Sequence, residues 1–297
     1  NTAQVLEITR KHERNNEYRC DLKLVTFDGD VTLYEDGMSI VDGAEVIGPI
    51  VGLLKRDLIV GVVTAAGYSE REGNRYYERL KGLVDAISAN STLSLRQKNN
   101  FLVMGGECNY LFQFNEHSRY KLEYIEEEKW MTEEVKNWDN NDIQEFLDIA
   151  EEMLIKCSKK LEIENKTKVI RKERAVGIIQ QHARALSREQ LEEIVLTSQK
   201  RLENCGIGKR IKFCAFNGGK DVWIDIGDKS IGVRSLQKYL GQVEKYETLH
   251  IGDQFASINA NDFKARLVAC TAWVANPHET IGIVRDINQY VQNGQNE

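Results

Sequence analysis

The chain has 297 residues, of which 41% are hydrophobic and 29% are charged, and this length predicts two domains or one elaborated domain. The net charge of −6 at pH 7 disfavours a nucleic acid polymer as partner, because such a polyanion requires a basic surface. No apolar run is long enough to cross a bilayer and no signal-peptide pattern opens the chain, so we expect no membrane partner.

Strands and helices alternate at the start of the chain. Leu22–Phe27 is an apolar, β-branched run that predicts a buried parallel strand, and the Asp28-Gly29-Asp30 turn ends it. A helix over Ile47–Lys55 and a second apolar strand over Leu58–Val63 complete a β-α-β unit. Because open α/β sheets bind ligands at the carboxyl ends of their strands, we expect both strand ends to be functional.

The pattern changes in residues 71–226, which predicts an inserted α+β domain. The predicted helices of this insertion are Arg75–Ser88, Asp142–Leu161 and Arg188–Leu202, and its predicted strands are Leu102–Gly106, Ile211–Phe216 and Asp221–Ile226. The helix at Arg188 has Ser187 as its N-cap, and Asn217-Gly218-Gly219 predicts a hairpin between the last two strands.

Predicted strands and helices alternate again after the insertion. The predicted elements are a helix over Gly232–Leu240, a strand over Thr248–Gly252 that leads into Asp253, a helix start at Asn261–Arg266, a strand over Leu267–Trp273 and a helix over Thr280–Gln292. The fold class is therefore α/β: residues 1–70 and 227–297 form a Rossmann-like parallel-sheet core, and residues 71–226 form an α+β cap.

The Asp28-Gly29-Asp30 turn offers chemistry at the first strand end. Asp28 could attack an electrophile such as phosphorus while Asp30 protonates the leaving oxygen. Two carboxylates this close repel each other, so a divalent cation and a nearby lysine are expected to neutralise them. A calcium loop does not fit the hydrophobic surroundings, but taken alone the motif is equally typical of a surface turn. The 6 Cys residues form no Cys-x-x-Cys pair, which predicts reduced thiols of a cytoplasmic protein and no zinc site.

Side chains that could act in catalysis or binding follow one another along the chain in this order: Asp28 with Asp30, then Thr64, then Lys229, then Asp253 with Asp262. This order resembles that of haloacid dehalogenase-type phosphatases, with Val31 where that pattern usually has glycine. The resemblance implies that Asp28 is the nucleophile, that Asp30 is acid and then base, and that Asp28, Asp30 and Asp253 hold Mg²⁺ with Asp262 behind them. It also implies that Thr64 and Lys229 hold phosphate oxygens.

Longer blocks resemble the IMP-specific 5′-nucleotidase family. These blocks are 24–37, 63–68, 79–83, 104–107, 188–197, 225–237, 248–256 and 261–267. The resemblance implies Mg²⁺-dependent hydrolysis of inosine monophosphate (IMP) to inosine and phosphate. It places Asp36, Thr64, Asp221 and Lys229 at substrate-contacting positions, beside Asp28 and Asp30, and makes Arg79 and the Met104–Glu107 turn candidates for base recognition.

The same family is described as tetrameric and responsive to ATP, so the resemblance implies a homotetramer and a possible ATP effector. Its members carry a further N-terminal segment that we expect this chain to lack. Asp221 lies in the insertion and would reach the substrate only if that domain closes as a lid.

Other interpretations remain open. The Asp221–Leu236 block also resembles phosphomannomutases, which favours a sugar-phosphate phosphatase or phosphomutase as the alternative. A non-catalytic purine-nucleotide sensor is a third hypothesis. Taken alone, Asp36 is typical of a loop cap, Asp221 of a strand-end turn and Lys229 of a surface lysine. Trp130, Trp138 and Trp223 are expected in the core, and His12, His117 and His250 are expected to have structural roles.

Overall fold

The computed structural model describes residues 22–181, 186–255 and 260–293. Its strands are β1 (Leu24–Phe27), β2 (Ile59–Val63), β3 (Phe101–Gly105), β4 (Tyr110–Phe114), β5 (Leu122–Ile125), β6 (Thr167–Arg171), β7 (Ala175–Gln180), β8 (Phe213–Asn217), β9 (Val222–Ile226), β10 (Thr248–Gly252) and β11 (Cys270–Trp273). The predictions for His12 and Cys20 lie outside the described residues.

Helices connect most of these strands. They are α1 (Ile47–Lys55), α2 (Asn74–Ala89), α3 (Leu95–Lys98), α4 (Glu127–Trp130), α5 (Glu133–Lys136), α6 (Asn140–Lys160), α7 (Arg188–Asn204), α8 (Lys229–Tyr239) and α9 (Pro277–Asn293). Short 3₁₀ helices cover Ile207–Lys209, Lys245–Glu247 and Asn261–Leu267. Among the described residues, no helix combines the length and the hydropathy that crossing a membrane requires.

A seven-stranded sheet has the order β11-β10-β1-β2-β3-β4-β5. The five strands from β11 to β3 pair in parallel, and β4 and β5 are added antiparallel. Side chains of β1 are buried on both faces, because Val25 and Phe27 pack into one hydrophobic cluster and Leu24 into another. This double burial explains the continuous apolar run in the sequence and confirms the α/β fold class.

Strands β3, β4 and β5 belong to this main sheet, although they lie in the residue range 71–226 that was predicted to form the insertion. Val60 of β2 lies opposite Phe101 of β3, and Leu111 of β4 lies opposite Ile125 of β5. A cap beginning at residue 71 is therefore wrong for residues 101–125. Strands β4 and β5 were not predicted, since Tyr, Gln and Glu interrupt their apolar pattern.

A second, four-stranded antiparallel sheet has the order β6-β7-β9-β8. Its buried side chains pack with those of α6 and α7 in a separate hydrophobic cluster, which includes Phe146 and Ile194. Ser187 caps α7 by accepting a hydrogen bond from the backbone N–H of Gln190, whose side chain accepts one from the N–H of Ser187. This reciprocal capping box confirms the predicted helix start.

Candidate active site

Register brings the ends of three parallel strands to one edge of the main sheet. Phe27, the last residue of β1, lies opposite Val62 of β2 and Ile251 of β10. Asp28 follows β1 directly, while Thr64 and Asp253 lie two residues beyond those partners. The backbone N–H of Asp28 donates to the carbonyl of Ile251 at 2.9 Å. Side chains that are up to 225 residues apart in sequence therefore meet at this edge.

Lys229 is the first residue of α8, and its side chain is fully buried. Its Nζ lies 2.7 Å from Oδ1 of Asp28 and also contacts Oδ1 of Asp262. Burial by itself lowers a lysine pKa, but the carboxylates of Asp262 and Asp28 raise the pKa of Lys229 above its usual range. The ammonium is therefore a permanent charge, and the surface-lysine interpretation is wrong.

Asp262 is fully buried and connects several parts of the site. It accepts a hydrogen bond from the backbone N–H of Gln254 at 2.9 Å, and His250 Nε2 lies 3.0 Å from its Oδ1. Burial raises its pKa, but Lys229 and His250 together hold the pKa of Asp262 well below its usual range. Gly252 permits this approach, because a Cβ there would lie 2.4 Å from the Asp262 carboxyl carbon. Asp262 therefore lies beside Asp28 and Asp253, and its role behind the metal ligands stays a prediction.

The carboxyl groups of Asp28, Asp253 and Asp262 each offer an oxygen within 4.8 Å of the others. Burial raises the pKa of Asp28 to about 6, with Lys229 opposing the rise. Burial and the Asp28 carboxylate raise the pKa of Asp253 to about 8. Asp253 Oδ1 is buried and has no hydrogen-bond partner within the described ranges. A hard divalent cation prefers such oxygen donors and would relieve their repulsion, so these residues fit a metal site.

Asp30 lies beside the nucleophile candidate, on the turn that follows β1. Its Oδ1 accepts a hydrogen bond from the backbone N–H of Gly37 at 2.9 Å. Val31, which follows Asp30 in the sequence, has a φ of 60°, in the left-handed region. This conformation explains why the related pattern usually has glycine at this position. Thr64 lies against the same turn, because a Cβ at Gly29 would lie 3.3 Å from its Oγ1.

Arg79 belongs to α2, which packs on the main sheet. Its guanidinium lies 5.8 Å from the ring centroid of Tyr34 and donates to the carbonyl of Met38. Burial by itself lowers the pKa of Arg79, but the Tyr68 side chain and, after it, the charge of Asp30 raise the pKa above its usual value. The structure thus places Arg79 near Asp30 and the loop that follows the turn.

Asp36 and Asp221 meet across the gap between the two sheets. Lys220, next to Asp221 in the β8–β9 hairpin, has its Nζ 3.8 Å from Oδ2 of Asp36. Partial burial raises the pKa of Asp221, and the neighbouring Asp36 and Asp30 add to this rise. The hairpin therefore brings Asp221 from the insertion to the rim of the site.

One face of the second sheet carries Asp221, Trp223 and Asp225, of which only Asp221 was recognised as a site candidate in the sequence. Val222, Ile224 and Ile226 of β9 pack into the insertion's own cluster. The alternating Asp221, Trp223 and Asp225 consequently lie on the opposite face. Period-two alternation was the available signal. The expected core position is confirmed for Trp130, which is fully buried. It is wrong for Trp223, whose ring centroid lies 4.1 Å from Lys172 Nζ.

A hydrogen-bonded pair of a buried carboxyl and a buried amide was not predicted. Glu107 follows β3 and is fully buried, and Asn261 directly precedes Asp262. Asn261 Nδ2 donates to Oε1 of Glu107 at 3.3 Å. Base recognition by the Glu107 side chain does not fit this burial. Both residues lie in blocks that resemble the family, but no local pattern indicates that two residues 154 positions apart form a pair.

Sequence comparisons identify relatives over almost the whole chain. A sequence profile described as IMP-specific 5′-nucleotidase matches residues 1–284. IMP-specific 5′-nucleotidase 1 of Yarrowia lipolytica is 49% identical over 296 residues, covering 98% of this chain and 67% of the relative. The Aspergillus fumigatus protein of that name is 47% identical over 289 residues, covering 97% of this chain and 62% of the relative. The chain thus spans about two thirds of the length of these curated relatives.

Solved structures give the same relationship. An IMP-bound mutant of Plasmodium falciparum IMP-nucleotidase superposes with a TM-score of 0.83 at 34% identity, covering 97% of this chain and 69% of that chain. The ATP-bound form of the Plasmodium falciparum enzyme superposes with a TM-score of 0.78 at 34% identity, covering 97% of this chain and 63% of that chain. Together with the profile match, these similarities show that the chain belongs to the IMP-specific 5′-nucleotidase family.

Proposed function

We propose that this chain hydrolyses IMP to inosine and phosphate, with Mg²⁺ as its cofactor. The observation that carries the proposal is the fully buried Lys229, which pairs with both Asp28 and Asp262 beside Asp253. A buried cation held among three carboxyl groups at a strand edge is suited to binding a phosphate monoester. The family membership supplies the nucleotide as substrate.

The first step transfers the phosphoryl group to the protein. A carboxylate oxygen of Asp28 attacks phosphorus, the bond from phosphorus to the ribose O5′ breaks, and Asp30 gives its proton to that departing oxygen. The products are inosine and an aspartyl-phosphate on Asp28. Lys229 and the Thr64 hydroxyl hold the equatorial phosphate oxygens, where negative charge develops.

The second step regenerates the carboxylate. Asp30, now ionised, takes a proton from water, and the water oxygen attacks phosphorus while the bond to Asp28 breaks. Asp28, the carbonyl oxygen of Asp30 and Asp253 would hold the Mg²⁺. When bound, this cation neutralises charge among the carboxylates and orients the phosphate.

Substrate recognition is proposed at the gap between the two sheets. Asp36 and Asp221 approach each other there from opposite sides, so the second sheet is placed to act as a lid over the nucleoside. Arg79, near Asp30, is proposed as a further substrate contact. The lid in this proposal is the part of the chain from about residue 139 to residue 226, and the remainder forms the core.

Phosphate release from a panel of nucleotides and hexose phosphates tests the proposal. We expect Mg²⁺-dependent release from IMP above all other substrates, and its loss when EDTA removes the metal. A preference for mannose phosphates would favour the alternative phosphatase or phosphomutase. IMP binding without any phosphate release would favour the nucleotide sensor.

Asp28→Asn tests the nucleophile. We expect turnover to fall by at least about 10³-fold, because the amide is not a nucleophile, while the circular dichroism spectrum stays unchanged. Asp286→Asn, at an exposed position of α9, is the matched control and should retain turnover. Substantial activity in Asp28→Asn would contradict the assigned nucleophile.

Regulation and assembly are also part of the proposal. The ATP-bound form of the Plasmodium falciparum enzyme supports ATP as an effector, and binding of ATP to this chain can be measured by calorimetry. A homotetramer and a cytoplasmic location stay predictions from the family resemblance and the cysteine pattern. Light scattering of the purified chain tests the first.

A further inference from the structure

The turn between β3 and β4 holds Glu107 in an unusual backbone conformation. Gly106 and Glu107 are both left-handed, with φ of 58° and 63°. A left-handed glutamate is disfavoured and persists only where its surroundings hold it, a pattern that clusters at functional sites. Here the backbone N–H of Glu107 donates to the carbonyl of Thr64 at 2.9 Å. The turn is thus tied directly to the phosphate-binding end of β2.

The side chain of Glu107 is fully buried and pairs with Asn261, which is 3% exposed. Asn261 Nδ2 donates to Glu107 Oε1 at 3.3 Å. The second oxygen of Glu107, Oε2, and the amide oxygen of Asn261, Oδ1, have no hydrogen-bond partner among the described residues. Two buried acceptors left unmatched are costly. One proton on Glu107 satisfies both, because a neutral carboxyl can donate from Oε2 while Oε1 accepts.

The charged groups around this carboxyl are consistent with the neutral form. Burial raises the pKa of Glu107 well above its usual value, and the carboxyls of Asp225, Asp28 and Asp262 act in the same direction. Lys229 opposes them. Lys229 is already paired with Asp28 and Asp262, so the lysine has closer carboxylate partners than Glu107.

The pair connects to the proposed catalytic centre through two elements. Asn261 precedes Asp262, which contacts Lys229. The carbonyl of Glu107 also lies against the first turn of α8, because a Cβ at Gly232 would lie 2.1 Å from it. We infer that Glu107 and Asn261 form an acid–amide pair that positions Asp262 and Lys229 relative to Asp28. Glu107 is therefore a positioning residue, and this inference rests on the proposed function.

Three variants separate positioning from bulk stability. Glu107→Gln keeps two complementary hydrogen bonds with Asn261, so kcat on IMP should stay within about threefold of wild type. Glu107→Leu removes the pair, so kcat should fall at least about tenfold while KM changes less than about threefold, since small displacements of reacting groups are costly. Glu247→Leu, at a buried glutamate (4% exposed) just before the amino end of β10, is the control and should retain kcat.

A second set of variants, in which the acid and the amide exchange places, tests the inference if Glu107→Leu does not fold. Asn261→Asp places two carboxyls together and should lower kcat at least about tenfold. Adding Glu107→Gln to it restores an acid–amide pair and should recover most of the loss. Failure of this rescue, or a Glu107→Gln variant as impaired as Glu107→Leu, overturns the inference.

Crystal structures of the variants give a readout that does not depend on turnover. The distance from Lys229 Nζ to Asp28 Oδ1 is 2.7 Å in the wild type. It should be kept in Glu107→Gln and lengthen in Glu107→Leu or Asn261→Asp. An unchanged distance in the impaired variants overturns the inference. If the wild type releases no phosphate from IMP, the proposed function fails, while this distance still tests the positioning role.

Discussion

Replacing Lys229 by Met removes a buried charge while keeping an unbranched side chain of similar length. The ammonium lies 2.7 Å from Asp28 Oδ1 and also contacts Asp262. Coulomb's law with an effective dielectric constant of about 20 gives roughly 6 kcal/mol for unit charges at this separation. Desolvation of the ions offsets part of this, and removing one partner of a buried pair costs about 3–5 kcal/mol. We expect Lys229→Met to lower the free energy of unfolding by that amount at pH 8.

The loss of stability between pH 5 and pH 8 should be larger in this variant than in the wild type, where the raised pKa values of Asp28 and Asp253 already favour the lower pH. In the wild type the lowered pKa of Asp262 stabilises the fold above about pH 4, the unfolded-state value, and this contribution is lost as the pH falls further. Without Lys229, the pKa of Asp28 or Asp262 rises, and one of them becomes protonated. Such a group stabilises the fold at low pH and loses that contribution as the pH rises. We therefore expect the difference in stability between pH 5 and pH 8 to be larger in Lys229→Met than in the wild type.

Urea unfolding at the two pH values measures the stability, and phosphate release from IMP measures turnover, which should fall at least about 10²-fold. Lys98→Met is the control. Lys98 is also a buried lysine, with Nζ 3.0 Å from Glu116, but it lies on α3, away from the site. It should lose stability and keep its turnover per folded molecule. A Lys229→Met variant with wild-type stability and turnover would refute the reasoning.

Three further predictions concern individual residues. Burial raises the pKa of Asp225 from 3.8 to about 7, so its protonated form stabilises the fold and that contribution is lost as the pH rises through about 7. Asp225→Asn should therefore have a higher free energy of unfolding than the wild type at pH 8, by up to about 4 kcal/mol. Urea unfolding without nucleotide measures this difference, and an equal difference at pH 4 would contradict the reasoning. Val31→Gly relieves a left-handed valine and should raise the free energy of unfolding by about 1 kcal/mol; any loss of stability would argue against strain there. Gly252→Ala forces a methyl group against Asp262 and should cost about 1–3 kcal/mol in thermal unfolding, whereas Gly282→Ala, with open space around it, should not destabilise.

Elements with strong local patterns were predictable. The runs that became β1 and β2 are continuous and apolar because parallel central strands are buried on both faces. Ser187 predicted the start of α7, because capping depends only on neighbouring residues. The site residues Asp28 and Asp253 were also predictable, because in each case an acid directly follows a strand.

Tertiary structure alone decided the rest. Strands β4 and β5 join the main sheet because β4 pairs with β3 and β5 pairs with β4, and which strand pairs with which is not written in a local pattern. Lys229 becomes a buried cation only because β1, α8 and the Asn261–Leu267 segment converge around it. The environment of Glu107 likewise comes from Asn261, which is 154 residues away. By itself the sequence determined the strands and helices with strong local patterns and which acids end them. Long-range packing determined which of those acidic groups are desolvated together, and desolvation sets their charge and their chemistry.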